Sequence, residues 1–361
     1  MAGITYPLGD SSIRMDAFYS ATMELLHKKG MFADNYFNSA PTFAHLRENK
    51  RVKMVAGGGA KIGVNLMYAG NSTVGSVGEY EEIDISPQDG GTRAYFDWAE
   101  YSGAITVSNR EKAENRSKPQ IVDLLTFKAK QLAMTFGEVG SQHLFDAEDI
   151  TVGAASTTAN GNKNMIGLPI LANYLGGSGA DGVGGIDGNS HTWWAATVQN
   201  YGGANSPVGM AHSLNTLYVN LQTGGPGGAP DFGACDITTW GKIVAAMDYA
   251  KQFRTSDEKM ASLGFHNIKY LDCTLYPDPY MCDPEASLNY DNSPTAGALY
   301  MLKSDSLCLY MMSGRDFKPG AFRPAPKQLA STAIAEAQMQ LTTDNRRNLG
   351  VLYGITKAAY A

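Results

Sequence analysis

The sequence predicts an α+β protein in which an arm and a long β loop accompany two linked domains, and three observations carry that prediction. A β excursion runs from Gly57-Gly58-Gly59 to Ser108, a well-signalled long helix follows, and a Gly-rich joint over residues 151–190 leads into short strands mixed with helices. At 361 residues the chain is long for one compact unit, which favours two linked domains, although one domain with insertions fits too.

Residues 1–51 read as the arm. A helix is expected from about Ser12 to Lys28, where Met15, Phe18, Thr22, Leu25 and Leu26 share a stripe and Gly30 stops it. Beyond it Phe32, Tyr36, Phe37, Phe43 and Leu46 sit among polar residues without a sustained period. That spacing fits an extended segment lying across another body.

In the β loop Ile62, Val64 and Leu66 alternate with smaller or polar residues, and Tyr95-Phe96-Asp97-Trp98 followed by Ile105 and Val107 reads as further strand. Between the arms of the loop, Gly70-Asn71-Ser72-Thr73 to Asp89-Gly90-Gly91 is rich in glycine and acidic residues. Such a tip has too little apolar material to offset its own ordering entropy.

The long helix is expected to open at Ser117, with Gln120 completing a capping box and Pro119 in the first turn. Ile121, Leu124, Leu125, Leu132, Phe136, Val139 and Leu144 then recur every three to four residues up to about Phe145. Gly137 and Gly140 weaken its second half and are expected to admit another backbone. Past the joint, helices are expected at about Met210–Gln222 and Thr239–Phe253, with a short strand at Gly264–Tyr270. Two strand pairs close the chain: Ala298–Leu302 with Leu307–Met311, and Ala337–Leu341 with Leu349–Ile355 meeting near Asp344-Asn345.

Composition points to assembly. Glycine occurs 40 times and only 18% of residues are charged, against a usual quarter, while Tyr and Met number 19 and 16. Much of the surface is therefore uncharged, as expected where neighbouring copies cover it. A net charge of -6 supplies no basic face to neutralise phosphates. Cys235, Cys273, Cys282 and Cys308 form no CxxC pair and are expected as free thiols; neither an export signal nor a membrane span is expected.

The motifs argue against chemistry. Gly177-Ser178-Gly179-Ala180-Asp181-Gly182 matches GxGxxG, but more glycines follow where a phosphate-holding helix is required. Gly57–Gly63 contains Lys61 yet lacks the ending of a P-loop. His27, His45, His143, His191, His212 and His266 are scattered without metal-ligand spacing. Asp272, Asp278, Asp283 and Glu285 lack the alternating ligands of a calcium loop. No nucleophile elbow occurs. No catalytic residue, cofactor or metal is expected.

The order of elements resembles the Hong Kong 97-type major capsid proteins of tailed phages. Ser108-Asn109-Arg110-Glu111, Asn115 and Ile121-Val122-Asp123-Leu124-Leu125 to Leu144-Phe145 look like the approach to and body of the spine helix in one branch of them. Gly184-Gly185-Ile186-Asp187 to Thr192-Trp193-Trp194 and Leu341-Thr342-Thr343-Asp344-Asn345-Arg346-Arg347-Asn348-Leu349-Gly350-Val351-Leu352 are similar too.

The resemblance implies an arm over 1–51, an extended β loop over 52–108 and a peripheral domain with spine helix and Gly-rich joint over 109–189. It further implies an axial domain over 190–335 and C-terminal strands of the peripheral domain over 336–361. It implies pentamers and hexamers closing into an icosahedral shell around double-stranded DNA, within a virion assembled in the host bacterial cytoplasm. Scaffolding, portal and decoration proteins are the implied partners. Subunit contacts are expected at Phe37, Lys61, Tyr68, Tyr80, Glu81, Arg93 and Trp98. The alternatives are an encapsulin-like nanocompartment, which shares the fold, and a Gly-rich nucleotide-dependent enzyme.

Overall fold

The computed structural model describes residues 41–114, 124–145, 164–172, 182–201, 205–224, 228–249, 267–282, 296–324 and 328–356. The arm helix, Phe37, the capping box at Ser117, most of the Gly-rich joint, Asp283 and Glu285 lie outside these. The chain forms two compact units, a larger one of residues 38–103, 135–318 and 335–361 and a smaller one of 1–37, 104–134 and 319–334.

The larger unit opens with helix α1 (Pro41–Glu48), strand β1 (Val52–Val55) and the ladder of β2 (Lys61–Met67) with β3 (Gly91–Asp97). In chain order strand β4 (Ala99–Ser108), helix α2 (Asn109–Glu114), helix α3 (Leu124–Leu144) and the single turn α4 (Leu168–Leu171) follow, residues 104–134 of these belonging to the smaller unit. The expected long helix is thus described over 21 residues, about 30 Å at 1.5 Å per residue. Its lower end buries Phe136 and Leu144, as the stripe required. Gly140 meets no backbone: a Cβ there would lie 3.5 Å from the Met339 methyl, an ordinary contact.

A six-stranded sheet dominates the rest of the larger unit. Its order is β5 (Thr197–Asn200), β13 (Leu349–Thr356), β9 (Ala296–Leu302), β6 (Phe232–Cys235), β8 (Cys273–Pro277) and β7 (Ile268–Tyr270). Helices α5 (Pro207–Gly224) and α6 (Ile237–Tyr249) pack Met210, Leu214, Leu217, Leu221, Ile243 and Met247 in one cluster with Leu275, Leu299, Met301, Leu352 and Ile355 of the sheet. At the closest approach a side chain on Gly350 would sit 2.6 Å from Leu221, so this strand accepts the helix only without a Cβ. A second cluster gathers Phe96, Phe145, Trp194, Phe232, Tyr300, Leu309 and Leu341.

Both expected strand pairs form as strands and neither is a hairpin. β9 lies in the six-stranded sheet, whereas β10 (Leu307–Pro319) pairs in parallel with β1, Val52 opposite Leu309. β12 (Ala330–Thr343) neighbours β10, whereas β13 inserts between β5 and β9. The connections are short helical turns, Ser304–Ser306 and Arg346–Asn348, that carry the chain from one sheet to the other. Asn345 sets the second turn, its side chain accepting the Arg347 N–H.

In the smaller unit, β11 (Arg323–Pro324) pairs antiparallel with β12, and the Thr106 and Thr332 hydroxyls meet at 3.1 Å. Ile105 and Val107 bury against Ala129 and Leu132 of α3. Helix α2 begins with a reciprocal capping box: Glu111 N–H donates to Ser108 Oγ at 3.0 Å and Ser108 N–H to Glu111 Oε2 at 2.9 Å. The backbone and Lys128 hold the Glu111 carboxyl below its ordinary range against the opposing effect of burial.

α1 is fastened to the six-stranded sheet by buried polar contacts. The Thr42 hydroxyl donates to Asp278 Oδ2 at 2.7 Å, and Tyr280 N–H donates to Oδ1 at 3.1 Å. His45 stacks on Phe232 with centroids 4.3 Å apart and bonds Ser304 at 2.9 Å. Asp272 accepts from the Tyr218 hydroxyl at 3.3 Å. Among the described residues no group of three or more His, Cys, Asp or Glu is placed to hold a metal, and no helix is long and apolar enough to cross a membrane. Cys235 and Cys273 are buried free thiols and Cys308 a half-buried one.

Candidate assembly surface

The β2–β3 ladder runs antiparallel over seven pairs from Lys61 opposite Asp97 to Met67 opposite Gly91. Alternation sorts its faces: Ile62, Leu66, Ala94 and Phe96 are buried, while Lys61, Asn65, Arg93 and Tyr95 face solvent. On the outer face Lys61 pairs with Asp97 at 3.2 Å, and Arg93 Nε donates to Asn65 Oδ1 at 2.7 Å, both across directly opposed positions. Trp98 Nε1 donates to the Gly59 carbonyl at 3.0 Å and ties the base of the loop.

The inner face docks on residues 182–194. Gly184 adopts φ +69°, and a Cβ there would come within 2.8 Å of the Ala94 Cβ. Trp194, buried, donates Nε1–H to the Val183 carbonyl at 2.8 Å, and Trp193 stacks on Tyr68 at 5.1 Å. Gly184 is therefore required twice, for its left-handed backbone and for the close approach. Gly184→Ala should lower subunit stability by about 2 kcal/mol. A urea midpoint equal to wild type would show that the ladder does not rest there.

Beyond Tyr68 the loop leaves the body of the subunit. From Asn71 to Asp89 every residue but Thr73 is exposed. Bonds within the loop shape this tip: the Asn71 side chain accepts from Thr73 N–H at 2.9 Å, the Glu81 carboxylate from Gly78 N–H at 2.9 Å, and the Ser72 hydroxyl donates across to Gln88 Oε1 at 2.8 Å. The Ser86 hydroxyl and amide hold the Asp84 carboxyl below its ordinary range, so it stays charged. Glu79, Glu81, Glu82, Asp84 and Asp89 face no Lys or Arg anywhere between residues 70 and 92. Among them stand apolar side chains in water: Val74 82% exposed, Tyr80 93%, Ile83 69% and Ile85 91%. Four large apolar side chains this exposed on one loop are the composition expected of an interaction surface.

The expected contact residues divide accordingly. Tyr80 and Glu81 stand on the open tip, Tyr68 at its neck, and Lys61, Arg93 and Trp98 on the ladder and its base, each holding a partner within its own subunit. Sequence reasoning did not single out Val74, Ile83 and Ile85, although the alternation of Glu82-Ile83-Asp84-Ile85 was a signal for an extended segment with one apolar face.

No family model matches the chain, and no curated protein matches it either. Solved structures do. The capsid subunit of cyanophage A-1(L) superposes with a TM-score of 0.60 at 14% identity, covering 90% of this chain and 95% of that one. The SrpI encapsulin of Synechococcus elongatus PCC 7942 gives 0.57 at 10% identity over 92% and 93%, and the capsid of an empty GTA particle 0.57 at 12% over 90% and 92%. The chain has the Hong Kong 97 fold.

Proposed function

We propose that this chain is a major capsid protein of a tailed phage, assembling through pentamers and hexamers into an icosahedral shell around double-stranded DNA. The observation that carries the reading is the tip of residues 70–90, whose apolar side chains have no partner within the subunit, on a fold that phage capsid subunits share. Its chemistry is association: heterologous contacts that close on themselves make rings and shells. Tyr80 and Glu81 touch a neighbour directly; Lys61, Tyr68, Arg93 and Trp98 set the angle at which the tip is presented; Phe37 belongs to an arm laid across another subunit. Residues 109–189 form the peripheral domain and 190–335 the axial domain, to which the pairing of Leu349–Thr356 adds a strand. The protein performs no catalysis. It works with scaffolding, portal and decoration proteins and lines packaged DNA without reading its sequence, in a virion built in the bacterial cytoplasm.

The encapsulin match supports a second reading, a nanocompartment that stores protein cargo. Size-exclusion chromatography and electron microscopy of the expressed chain, alone and with its neighbouring scaffold, should reveal particles of megadalton size. A discrete monomer or small oligomer under both conditions would overturn both readings. Nucleic acid inside native particles supports the capsid; a co-purifying enzyme in its place supports the nanocompartment.

A further inference from the structure

The tip needs a partner that is apolar in part and positively charged, and the chain carries such a surface at the root of its arm. Arg47, Lys50, Arg51 and Lys53 place four cations in seven residues, with Glu48 the only anion among them. Arg47, Lys50 and Lys53 are exposed, and Met54 beside them is 53% exposed. Arg51 is held by Asp305; Lys53 remains exposed although its ammonium lies over the Tyr310 ring, 5.9 Å from the centroid, and Arg47 and Lys50 stand open to solvent. They lie on the last turn of α1, the connection after it and β1, which among the described residues is the outermost strand of its sheet, with no strand on its other side.

Lys50 adds an independent observation. It ends α1 with Arg51 N–H donating to the Leu46 carbonyl at 2.8 Å, a Schellman turn whose central residue is ordinarily glycine. Lys50 occupies that position at φ +57°, a conformation that costs a β-carbon-bearing residue and not glycine. Helix termination does not explain the choice of lysine. An ammonium displayed at the corner of the turn does.

Resting on the capsid reading, we infer that the acidic, apolar tip of one copy docks on the Arg47–Lys53 turn of a second copy. Glu79 and Glu82 would face Lys50 and Lys53, and Ile83 and Ile85 would cover Met54. Within one subunit both surfaces are open to water, so their complement must come from another chain. Opposite charge also selects the partner: a tip meeting a second tip, or the tip meeting packaged DNA, would set like charges together.

The test is a charge exchange in the full-length chain, co-expressed with its scaffold. Lys50→Glu with Lys53→Glu, and separately Glu79→Lys with Glu82→Lys, should each reduce particle yield roughly ten-fold, and the four changes together should restore most of it. Lys50→Gly controls for folding. It suits the left-handed turn, so subunit stability should hold or rise while particle yield falls. Carbodiimide cross-linking of mixed isotopically light and heavy copies should join Lys50 or Lys53 of one chain to Glu79 or Glu82 of another. It reports the contact in whatever oligomer forms. Normal yield from the turn reversal, or no rescue by the exchange, would overturn the pairing while leaving the capsid reading intact. Normal particles that lose nucleic acid on turn reversal would assign the turn to DNA and overturn it as well. Absence of particles and of intermolecular cross-links from the wild-type chain would remove both.

Discussion

Replacing residues 73–89 with a short Gly-Ser bridge should leave a folded subunit that forms no particles. The ladder beneath ends at Met67 and Gly91 and keeps all seven of its pairs, with Ile62, Leu66, Ala94 and Phe96 still buried. The removed residues bury almost nothing, so stability should change by no more than about 0.5 kcal/mol. Assembly loses far more. Val74, Tyr80, Ile83 and Ile85 would each offer on the order of 1.5 kcal/mol if covered, repeated at every tip of an assembled particle, less the entropy of ordering the loop. Circular dichroism and thermal unfolding of the variant, set beside electron micrographs, separate the two effects. Particles of normal size would refute the role of the tip.

Stability of the unassembled subunit should rise on mild acidification through Asp278. This carboxyl is 1% exposed, and burial pushes it from 3.8 up to about 6 despite the bonds from Thr42 and Tyr280 that favour its charged form. Because the folded state holds the proton more tightly than the unfolded chain, the gain accrues as pH falls from about 6 toward 4 and is complete below that. It amounts to on the order of 3 kcal/mol. Above pH 6 the ion is kept in the interior at that cost. Asp278→Asn preserves the shape and removes the charge; turned so that its oxygen meets Tyr280 N–H, its amide can donate to the Thr42 hydroxyl. Urea midpoints of both proteins from pH 4 to 8 should converge at high pH or favour the variant, and increasingly favour the wild type below pH 6. Parallel curves would show that Asp278 carries no shifted proton.

Much of this fold was legible where local pattern decides the outcome. The alternation of Ile62, Val64 and Leu66 identified β2, the stripe through Phe136 and Leu144 identified the lower half of α3, and the glycine and acid content of residues 70–91 identified a tip without a core. The strand pairs misled because alternation reports which face of a strand is buried and says nothing of its neighbour. Leu307–Met311 follows Ala298–Leu302 after four residues, a spacing as natural to a hairpin as to the sheet-switching turn at Ser304–Ser306. The buried contacts of α1 were not legible either, since Thr42 and Asp278 stand 236 positions apart. At the candidate site, the sequence singled out Tyr80 and Glu81, which the structure places on the exposed tip, whereas nothing in the local pattern of residues 47–53 signals the left-handed backbone of Lys50.

The strand order of the large sheet also bears on how the protein is made. β13, residues 349–356, is threaded between β5 and β9 and is, among the described residues, β5's only partner in the sheet. Every other strand of that sheet precedes it in sequence, so the sheet stays open until β13 has been made. A chain cut short before residue 349 keeps its acidic tip and basic turn but presents β9 as a bare edge and β5 as a loose segment. Closure of this sheet therefore waits on β13, and until it arrives the β9 edge is open to pairing with another chain.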